Sequence, residues 1–320
     1  MKEFTINQND SGMRIDKFIT KLMPNLPQSM LYKGMRKNCV KVNGKHVKNG
    51  AVKINEGDTV TLYFKDEFFE IPAPDTAFLK ISPKLDIVYE DENILLVNKK
   101  QGMCVHADDN GSSDTLIDHI KEYLYHKKEY RPSEENTFVP SLCNRIDRNT
   151  AGIVIAAKNA ESLRILNQKI KDRELEKSYL CLVYGQLEQK TGRIKAYMIK
   201  DENKKQVYVY DSPKNGAKTM ITDYTVLHEY PGYSMVEAKL LTGRTHQIRA
   251  SFAHIGHPLL GDGKYGTNEI NKKFPFIGQA LCSYKLKFTF STDSGILNYL
   301  NNREFELQNV EFAEKRAKKS

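Results

Sequence analysis

The sequence predicts an α+β protein in which a small α+β domain precedes a larger one. The larger domain is expected to have a mixed, largely antiparallel central sheet flanked by helices and loops. Three observations predict this class. Short apolar strings typical of strands, such as ILLVNK and GIVIAAK, outnumber the stretches with helical periodicity. The regular strand–helix alternation of a doubly wound parallel sheet is missing. An Asn-Gly pair at 43 and 44 is a strong hairpin signal.

The composition is ordinary for a globular chain and indicates two domains. The chain has 320 residues, of which 40% are hydrophobic and 28% are charged. An average domain has about 100 to 200 residues. The start, MKEFTINQNDSG, has no signal-peptide core, and no apolar run approaches the ~20 residues of a membrane helix. We therefore expect a cytoplasmic protein without membrane contact. The five cysteines contain no C-x-x-C pair and indicate neither a disulfide framework nor a thiolate zinc site.

Two helices and a small sheet are expected in the first 64 residues. The first helix is predicted by apolar residues at helical spacing, namely Ile15, Phe18, Ile19 and Leu22. Prolines at 24 and 27 break this pattern, and Ser29 is placed to cap a second helix. That helix carries Met30, Leu31 and Met35. The strings VKV, VK and TVTLYF then predict short strands.

Positive charge is concentrated on this first segment. The whole chain has a formal net charge of +9. Between residues 13 and 64 only Asp16, Glu56 and Asp58 oppose the basic side chains. An ordinary solvated surface would mix both signs, so the excess favours a face that contacts phosphates. The basic residues are Arg14, Lys17, Lys21, Lys33, Arg36, Lys37, Lys41, Lys45, Lys48 and Lys53.

The chain between the two domains reads as a connector. Residues 65 to 83 contain three prolines and no clear periodicity, which predicts an extended segment. We therefore divide the chain into a first domain at 1 to 66, a linker at 67 to 83, a larger domain at 84 to 312 and a basic tail at 313 to 320. The tail, AEKRAKKS, is expected to be disordered.

The larger domain combines strands with three helices. Strands are predicted at DIVYEDENILLVNK, GIVIAAK, KSYLCLVYG, ITDYTVLHEY and YSMVEAKLLT, and amphipathic helices at LIDHIKEYLYH and AESLRILNQKIK. RTHQIRASFAHI predicts a further helix, because apolar residues recur at i, i+4 and i+7 before Gly256 and Pro258 end it. Its first turn carries Arg244, His246 and Arg249.

No cofactor site is recognisable in the sequence. Neither a G-x-x-x-x-G-K-[ST] loop nor a G-x-G-x-x-G turn occurs. His246, His254 and His257 lie close together and suggest a metal hypothesis, in which the protein would be a metal-dependent RNA hydrolase. Because no nearby carboxylate completes a ligand set, we expect neither a metal nor a cofactor.

Four segments place polar residues beside apolar strands and carry a family resemblance. They are NKKQGMCVHA at 98 to 107, NRIDRNTAGIVIAAK at 144 to 158, KSYLCLVYG at 177 to 185 and LLTGRTHQIRASFAHIGHPLLGDGKYG at 240 to 266. In this order they resemble the RluA-type family of RNA pseudouridine synthases, whose motifs are H-R-L-D-x-x-T-S-G, then G-R-[TS]-H-Q-[IL]-R and G-H-P-[IL]-x-G-D. The first domain, with its R-x-D-K-F opening and V-K-V-N-G-K…G-D ending, resembles the S-four-type (S4) RNA-binding domain.

The resemblance implies three catalytic residues: Asp147, Tyr179 and Arg249. The family converts uridine to pseudouridine by breaking the bond from ribose to N1, rotating the uracil and rejoining it through C5, without a cofactor. Asp147 would act as a nucleophile toward ribose C1′ or uracil C6, or as a base taking a ribose proton. Arg249 would hold Asp147 through a two-point contact. Tyr179 would lie against the extruded base and relay the C5 proton.

The residues alone allow plainer readings, and the sequence also departs from the family pattern. Without the resemblance, Asp147 is a turn aspartate and Arg249 part of a structural salt bridge. Asn144 stands where the family usually has His, Ala151 where it often has Ser, Lys100-Gln101 where Pro-Ala is common, and LCSYKLKF where L-H-A-x-x-L-x-F is usual. These departures keep open a non-catalytic RNA-binding or ribosome-assembly factor with the same fold.

The expected partner is structured RNA. Large-subunit ribosomal RNA is the first choice on the family resemblance and tRNA the second, and we expect a monomer. The target uridine must be flipped out of its stack, and basic side chains hold the backbone. Candidate RNA contacts are Arg14, Lys17, Lys33, Arg36, Lys37, Lys41, Lys45, Lys99, Arg145, Arg148 and Arg244.

Overall fold

The computed structural model describes residues 1–69, 76–107, 114–201, 206–274 and 278–313. Residues 70–75 of the expected linker and 314–320 of the expected basic tail lie outside this part of the chain. Within it, no helix combines the length and the hydrophobicity needed to cross a membrane.

The first unit of the chain packs two helices on a four-stranded antiparallel sheet. Helix α1 spans Ile15–Leu22 and α2 spans Gln28–Arg36. The strand order is β1-β4-β2-β3. The strands are β1 (Lys2–Thr5), β2 (Val40–Val42), β3 (Lys45–His46) and β4 (Thr59–Leu62). Asn43 and Gly44 turn the β2–β3 hairpin with positive φ of 49° and 74°, as a two-residue primed turn requires.

The rest of the chain is built around one eleven-stranded sheet. Nine strands follow the order β11-β10-β12-β13-β9-β14-β8-β6-β5, while β15 pairs with β14 and β7 with β8. Only β14 and β8 pair in parallel among the described strands. The strands are β5 (Ile87–Glu90), β6 (Ile94–Lys99), β7 (Ser141–Leu142), β8 (Ala151–Ala157), β9 (Leu175–Tyr184), β10 (Thr191–Asp201), β11 (Gln206–Tyr210), β12 (Lys218–Tyr230), β13 (Tyr233–Leu240), β14 (Leu281–Phe288) and β15 (Glu304–Glu306). The expected mixed, largely antiparallel sheet is confirmed.

Helices cover both faces of this sheet. They are α3 (Leu116–His126), α4 (Ala160–Lys171), α5 (Gln247–His254) and the short α6 (Asn268–Lys273). Helices α3 and α5 pack in one apolar core, with Ile120 and Phe252 completely buried. Helix α4 packs in another core through Leu166, on the opposite side of β8. Residues of β8 alternate between the two cores, as the period of two in a strand dictates.

Most predicted elements are present, with differences at their ends. The five strand regions predicted for the larger domain and all five predicted helices are found, and the four apolar residues of the first helix are buried. In the first unit VKV and TVTL form strands, but the expected strand at VK is wrong, because β3 is Lys45–His46. Ser29 is not the cap of α2, because the helix already begins at Gln28 after Pro27. Of the three apolar residues expected on α2, Leu31 and Met35 are buried, whereas Met30 is exposed. The connector is not simply extended, since 3-10 helices occupy Asp66–Phe69 and Ala77–Lys80.

A polar contact joins the first unit to the larger one. Asp10 is completely buried and accepts hydrogen bonds from Asn136 Nδ2 at 2.8 Å and Thr137 Oγ1 at 2.6 Å. Asn9 donates to Glu135 at 2.7 Å and accepts from the Ala160 N–H, at the start of α4, at 3.0 Å. A buried polar group that is fully hydrogen-bonded favours the one arrangement in which its partners are in place. These bonds therefore orient the first unit against the larger one.

Candidate active site

Asp147 lies on a loop between β7 and β8, and hydrogen bonds to the loop backbone fix the position of this loop. The Asp147 carbonyl accepts from the Thr150 N–H at 3.0 Å, which tightens the turn. Two bonds clamp the next residue, because the Arg148 carbonyl accepts from the Gly102 N–H at 2.9 Å and its Nε donates to the Gly102 carbonyl at 2.9 Å. The Asp147 side chain remains 30% exposed. The loop therefore presents one carboxylate to solvent from a fixed position.

Arg249 reaches the same place from the first turn of α5. Its Nη1 donates to Asp147 Oδ2 at 2.8 Å, across 102 residues of sequence. A cation in the first turn of a helix is unfavourable beside the positive end of the helix dipole, so it needs nearby carboxylates. Asp147 is one of them, and it contributes a single contact.

Asp262 is the second carboxylate, and it takes the two-point contact that was expected for Asp147. Its oxygens accept from Arg249 Nε at 2.7 Å and Nη2 at 2.9 Å. Asp262 Oδ1 also accepts from the N–H groups of Lys264 and Tyr265. The expected two-point contact of Arg249 with Asp147 is therefore wrong, since the fork of the guanidinium is already occupied by the fully buried Asp262.

This arrangement fixes the charge of the buried pair. Burial opposes the charged form of Asp262, but its bonds with Arg249 outweigh burial and lower the pKa of the carboxyl. Burial also acts against the charge on Arg249, yet Asp262 and Asp147 together raise its pKa. The guanidinium is thus held in plane by Asp262, and its remaining Nη1 is aimed at Asp147.

Tyr179 lies in β9 beside these groups and is almost completely buried. In the sheet it is opposite Ala238 of β13 and Ser283 of β14. Burial, with a further contribution from the charge of Asp147, raises the pKa of Tyr179 to about 12. The phenol therefore stays protonated at neutral pH.

Lys99 is not an RNA contact, because its side chain is buried. Only 1% of the residue is exposed, and its Nζ donates to the carbonyls of Lys100, Met103 and Arg148 at 2.9 to 3.0 Å. Burial lowers the pKa of Lys99 to about 8. The sequence prediction for Lys99 is wrong for a physical reason: three carbonyl oxygens leave the ammonium no proton to offer a phosphate. Lys99 instead joins the 100–103 segment to the Asp147 loop.

The other expected RNA contacts lie on accessible surface. Arg145 and Arg148 flank Asp147 and are exposed, and Arg244, half-buried, donates to the Thr219 carbonyl at 3.2 Å. In the first unit Arg14 pairs with Asp16 at 2.6 Å but keeps half of its side chain exposed. The remaining candidates are exposed except for the partly exposed Lys41; they are Lys17, Lys33, Arg36, Lys37, Lys41 and Lys45.

The three histidines of the metal hypothesis do not converge. Nδ1 of His246 is 2.8 Å from the Tyr265 hydroxyl, whereas Nε2 of His254 contacts the exposed Asp211 at 2.7 Å. Nδ1 of His257 is 2.8 Å from the Tyr184 carbonyl. Among the described residues no three His, Cys, Asp or Glu side chains are grouped as metal ligands. This geometry removes the basis for a hydrolase that uses these histidines.

Two of the departures from the family pattern have structural roles. The buried Asn144 accepts from the Ile155 N–H of β8 at 2.8 Å through Oδ1, so it fastens the start of the Asp147 loop to the sheet. Gln101 Nε2 donates to the carbonyls of Asn149 and Gln279 at 2.8 and 2.9 Å, which ties three loops together. Both residues support the position of Asp147 without contacting its carboxylate.

A glycine allows the two strands beneath the site to approach. Gly152 of β8 has φ of +113°, and a Cβ there would lie 2.2 Å from the carbonyl oxygen of Ser283 in β14. These two residues are paired in the parallel ladder of the sheet. Only glycine fits this position, because both the conformation and the space exclude a side chain.

Two residues of the site had no role in the sequence analysis. Asp262 and Tyr265 lie in the LLGDGKYG string that helped to carry the resemblance. The guanidinium of Arg249 lies over the Tyr265 ring, 5.2 Å from its centroid. An aspartate within an apolar, glycine-rich string, close in sequence to an arginine, was the available signal for a buried ion pair.

Comparison with known proteins identifies the family of the chain. Residues 93–254 match the family model described as RNA pseudouridylate synthase, and residues 13–60 match the S4 domain. An uncharacterised RNA pseudouridine synthase of Aquifex aeolicus is 34% identical over 79% of this chain and 77% of its own. The ribosomal large subunit pseudouridine synthase C of Vibrio vulnificus is 34% identical over 82% of this chain and 79% of its own.

A solved structure shares the fold. The human RNA pseudouridylate synthase domain containing 1 aligns with a TM-score of 0.53 and 23% identity, covering 75% of this chain and 98% of its own. The family model spans Asp147, Tyr179 and Arg249. The chain therefore belongs to the RluA-type family of RNA pseudouridine synthases, which are isomerases, and carries an S4 domain before its synthase fold.

Proposed function

We propose that this protein converts specific uridines of large-subunit ribosomal RNA to pseudouridine, with Asp147, Tyr179 and Arg249 as its catalytic residues. The observation that carries the proposal is the Asp147 carboxylate, held on one side by Arg249 at 2.8 Å and exposed on the other. The relative from Vibrio vulnificus is named for the large ribosomal subunit, which favours this RNA over tRNA.

The chemistry needs one positioned carboxylate and no external reactant. The glycosidic bond from C1′ to N1 breaks, the uracil turns, C5 bonds to C1′, and the proton lost from C5 balances the proton gained at N1. Asp147 starts this sequence either at the ribose or at the uracil ring. Each of these mechanisms requires an accessible carboxylate with a fixed orientation. The contact with Arg249 fixes the orientation of Asp147, which supports the proposal.

Tyr179 fits the role of a neutral partner of the base. With a pKa of about 12 it carries its proton at neutral pH, so it offers an O–H group rather than a phenolate. A protonated phenol can help to remove the C5 proton only as a relay, which accepts that proton while it donates its own to another group. We assign the buried Tyr179 ring to contact with the extruded uracil.

The two units divide the work. We assign residues 1–66 to RNA binding, 67–83 to the linker and 84–312 to the synthase domain, followed by the basic tail. Exposed basic residues on α2 and the β2–β3 hairpin contact the RNA backbone, while Arg145, Arg148 and Arg244 hold the nucleotides near the target. We assign the protein to the cytoplasm and expect it to act as a monomer.

The catalytic assignment is tested with the Asp147→Asn variant. Purified protein is incubated with 23S-type ribosomal RNA and with tRNA transcripts, and pseudouridine is detected by carbodiimide-dependent stops of reverse transcription. We expect product in the ribosomal RNA with the unchanged protein and none with Asp147→Asn, which keeps the shape and removes the charge. Asp172→Asn, an exposed aspartate at the end of α4, is the matched control and stays active.

Each other outcome decides one part of the proposal. Full activity of Asp147→Asn would overturn the catalytic role of the carboxylate. Product in tRNA alone would replace the proposed RNA with the second choice. RNA binding without any product would favour the non-catalytic assembly factor.

The RNA-binding assignment is tested by the salt dependence of binding. Replacing Lys33, Lys37 and Lys45 by Gln should lower the slope of log affinity against log salt by about 0.7 to 0.9 for each lost phosphate contact. The control replaces three exposed lysines of the synthase domain, Lys171, Lys272 and Lys273, which removes the same charge. Equal slopes for the two triple variants would refute a specific role of the S4 surface.

A further inference from the structure

Next to the three candidate catalytic residues lies a pair of side chains to which the reaction gives no role. His246 precedes α5 in a left-handed conformation, with φ of 53° and ψ of 23°. A residue other than glycine in this region stores strain, which the surrounding structure must offset. The conformation places the imidazole between Asp147 and Tyr265: Nε2 lies 3.7 Å from Asp147 Oδ2 and Nδ1 lies 2.8 Å from the Tyr265 hydroxyl.

Tyr265 is fixed on every side. Its backbone N–H donates to Asp262 at 3.1 Å, and its ring lies under the guanidinium of Arg249. Its hydroxyl oxygen accepts a hydrogen bond from the Val207 N–H of β11 at 3.1 Å. The phenol therefore has no freedom to swing away from His246, and one lone pair of its oxygen is already in use.

These contacts select one tautomer of the imidazole. The Val207 N–H can only donate, so among the described contacts of the Tyr265 hydroxyl Nδ1 of His246 is the acceptor for its hydrogen. When Nδ1 takes that hydrogen bond, Nε2 carries the ring hydrogen. The other tautomer would turn an Nε2 lone pair toward the anionic Asp147. Both the hydroxyl and the carboxylate thus favour hydrogen on Nε2.

We propose that His246 is a positioning residue whose Nε2–H faces Asp147, and that Tyr265 fixes this tautomer through its hydroxyl. Arg249 and His246 then face the same carboxylate oxygen from two directions, one as a charged donor and one as a neutral dipole. The Asp147 carboxylate then keeps its direction while the uridine enters. This proposal rests on the assignment of Asp147 as the reacting group.

The charge state of His246 follows from the groups around it. Burial lowers the pKa of His246, and Arg249 and Lys264 act in the same direction. Asp147 on its loop and Asp262 after α5 act in the opposite direction, without outweighing burial. A neutral imidazole is what the proposal needs, because only the neutral form has a tautomer to be chosen.

The tautomer is measured directly, without any activity assay. In long-range ¹H–¹⁵N correlation spectra of the full-length labelled protein, the protonated and the bare imidazole nitrogen have well separated ¹⁵N shifts. The His246 signals are identified as those that the His246→Gln variant lacks. We expect hydrogen on Nε2 in the unchanged protein, and a mixture of tautomers in Tyr265→Phe, which keeps the ring and loses the hydroxyl. Tyr125→Phe, at an exposed tyrosine of α3, is the matched control.

Kinetics provide the second measurement. Tyr265→Phe should lower kcat by about tenfold, which corresponds to ~1.4 kcal/mol in the barrier, and leave KM nearly unchanged. His246→Gln, whose amide keeps a donor near the place of Nε2, should retain more activity than His246→Leu.

Two results would overturn the proposal. One is hydrogen on Nδ1 of His246 in the unchanged protein, and the other is an unaltered tautomer in Tyr265→Phe. Both are read from spectra, so they remain informative even if the protein makes no pseudouridine in the chosen RNA. The failure of this proposal is thus distinguishable from the failure of the proposed function.

Discussion

The Arg249–Asp262 pair allows a stability prediction in which burial is the deciding quantity. The Asp262→Asn variant keeps the size of the side chain and removes its charge. Arg249 would then remain buried with one carboxylate partner, Asp147, which is itself 30% exposed. Removing one partner of a buried ion pair costs about 3 to 5 kcal/mol. Because Asp147 still offers one contact, we expect the lower end, about 3 kcal/mol.

The chain contains a matched exposed pair. Arg193 donates to Asp223 through Nε at 2.6 Å and Nη2 at 2.8 Å, the same two-point geometry that Arg249 makes with Asp262. The side chains of Arg193 and Asp223 are 58% and 34% exposed, against 10% and 0% for the buried pair. Water solvates the charge left by Asp223→Asn, so this variant should unfold at nearly the same urea concentration as the unchanged protein.

The assay is urea unfolding of the three proteins, followed by circular dichroism and repeated at lower pH. The folded-state pKa of Asp262 is lowered, so its contribution is present above the unfolded pKa and is lost as the pH falls through the folded value. The difference between the unchanged protein and Asp262→Asn should therefore shrink in acid. Equal stability of Asp262→Asn and Asp223→Asn at pH 7 would refute the reasoning from burial.

Three further predictions follow from single contacts. Burial lowers the pKa of Lys99 to about 8, so between about pH 8 and 10.5 the unfolded chain binds more protons than the folded protein. The free energy of unfolding should therefore rise across this range, and Lys99→Met should lack this rise. Asn144→Ala leaves a buried N–H of β8 without its acceptor and should lower the free energy of unfolding by about 1 to 3 kcal/mol, measured in urea. Gly152→Ala drives a Cβ into the Ser283 carbonyl and should reduce the yield of folded protein, whereas Gly243→Ala, where a Cβ meets nothing within 4 Å, should leave it unchanged.

Local patterns in the sequence determined most of the elements. A helical period of 3.6 depends only on which face of a segment is buried, so α1, α3 and α4 could be predicted from their apolar residues. Strand β8 is buried on both faces and could be predicted from its continuous apolar run. Strands β10 and β11 and the full length of β12 were not predicted. Their residues form a broad extension of the sheet in which many side chains stay exposed, and the apolar signal is correspondingly weak.

The candidate site was also predicted in part from the sequence and decided in part by the tertiary structure. The motif strings identified the family and supplied Asp147, Tyr179 and Arg249 as candidates, because residue type and spacing are properties of the sequence. Which carboxylate takes the fork of Arg249 was decided only by the tertiary structure, since Asp147 and Asp262 are both of the right chemistry and only their distances differ. The same holds for Lys99, a surface charge by composition and a buried ammonium by contact. Burial and the pairing of charges depend on segments far apart in the chain, and a one-dimensional pattern does not contain those distances.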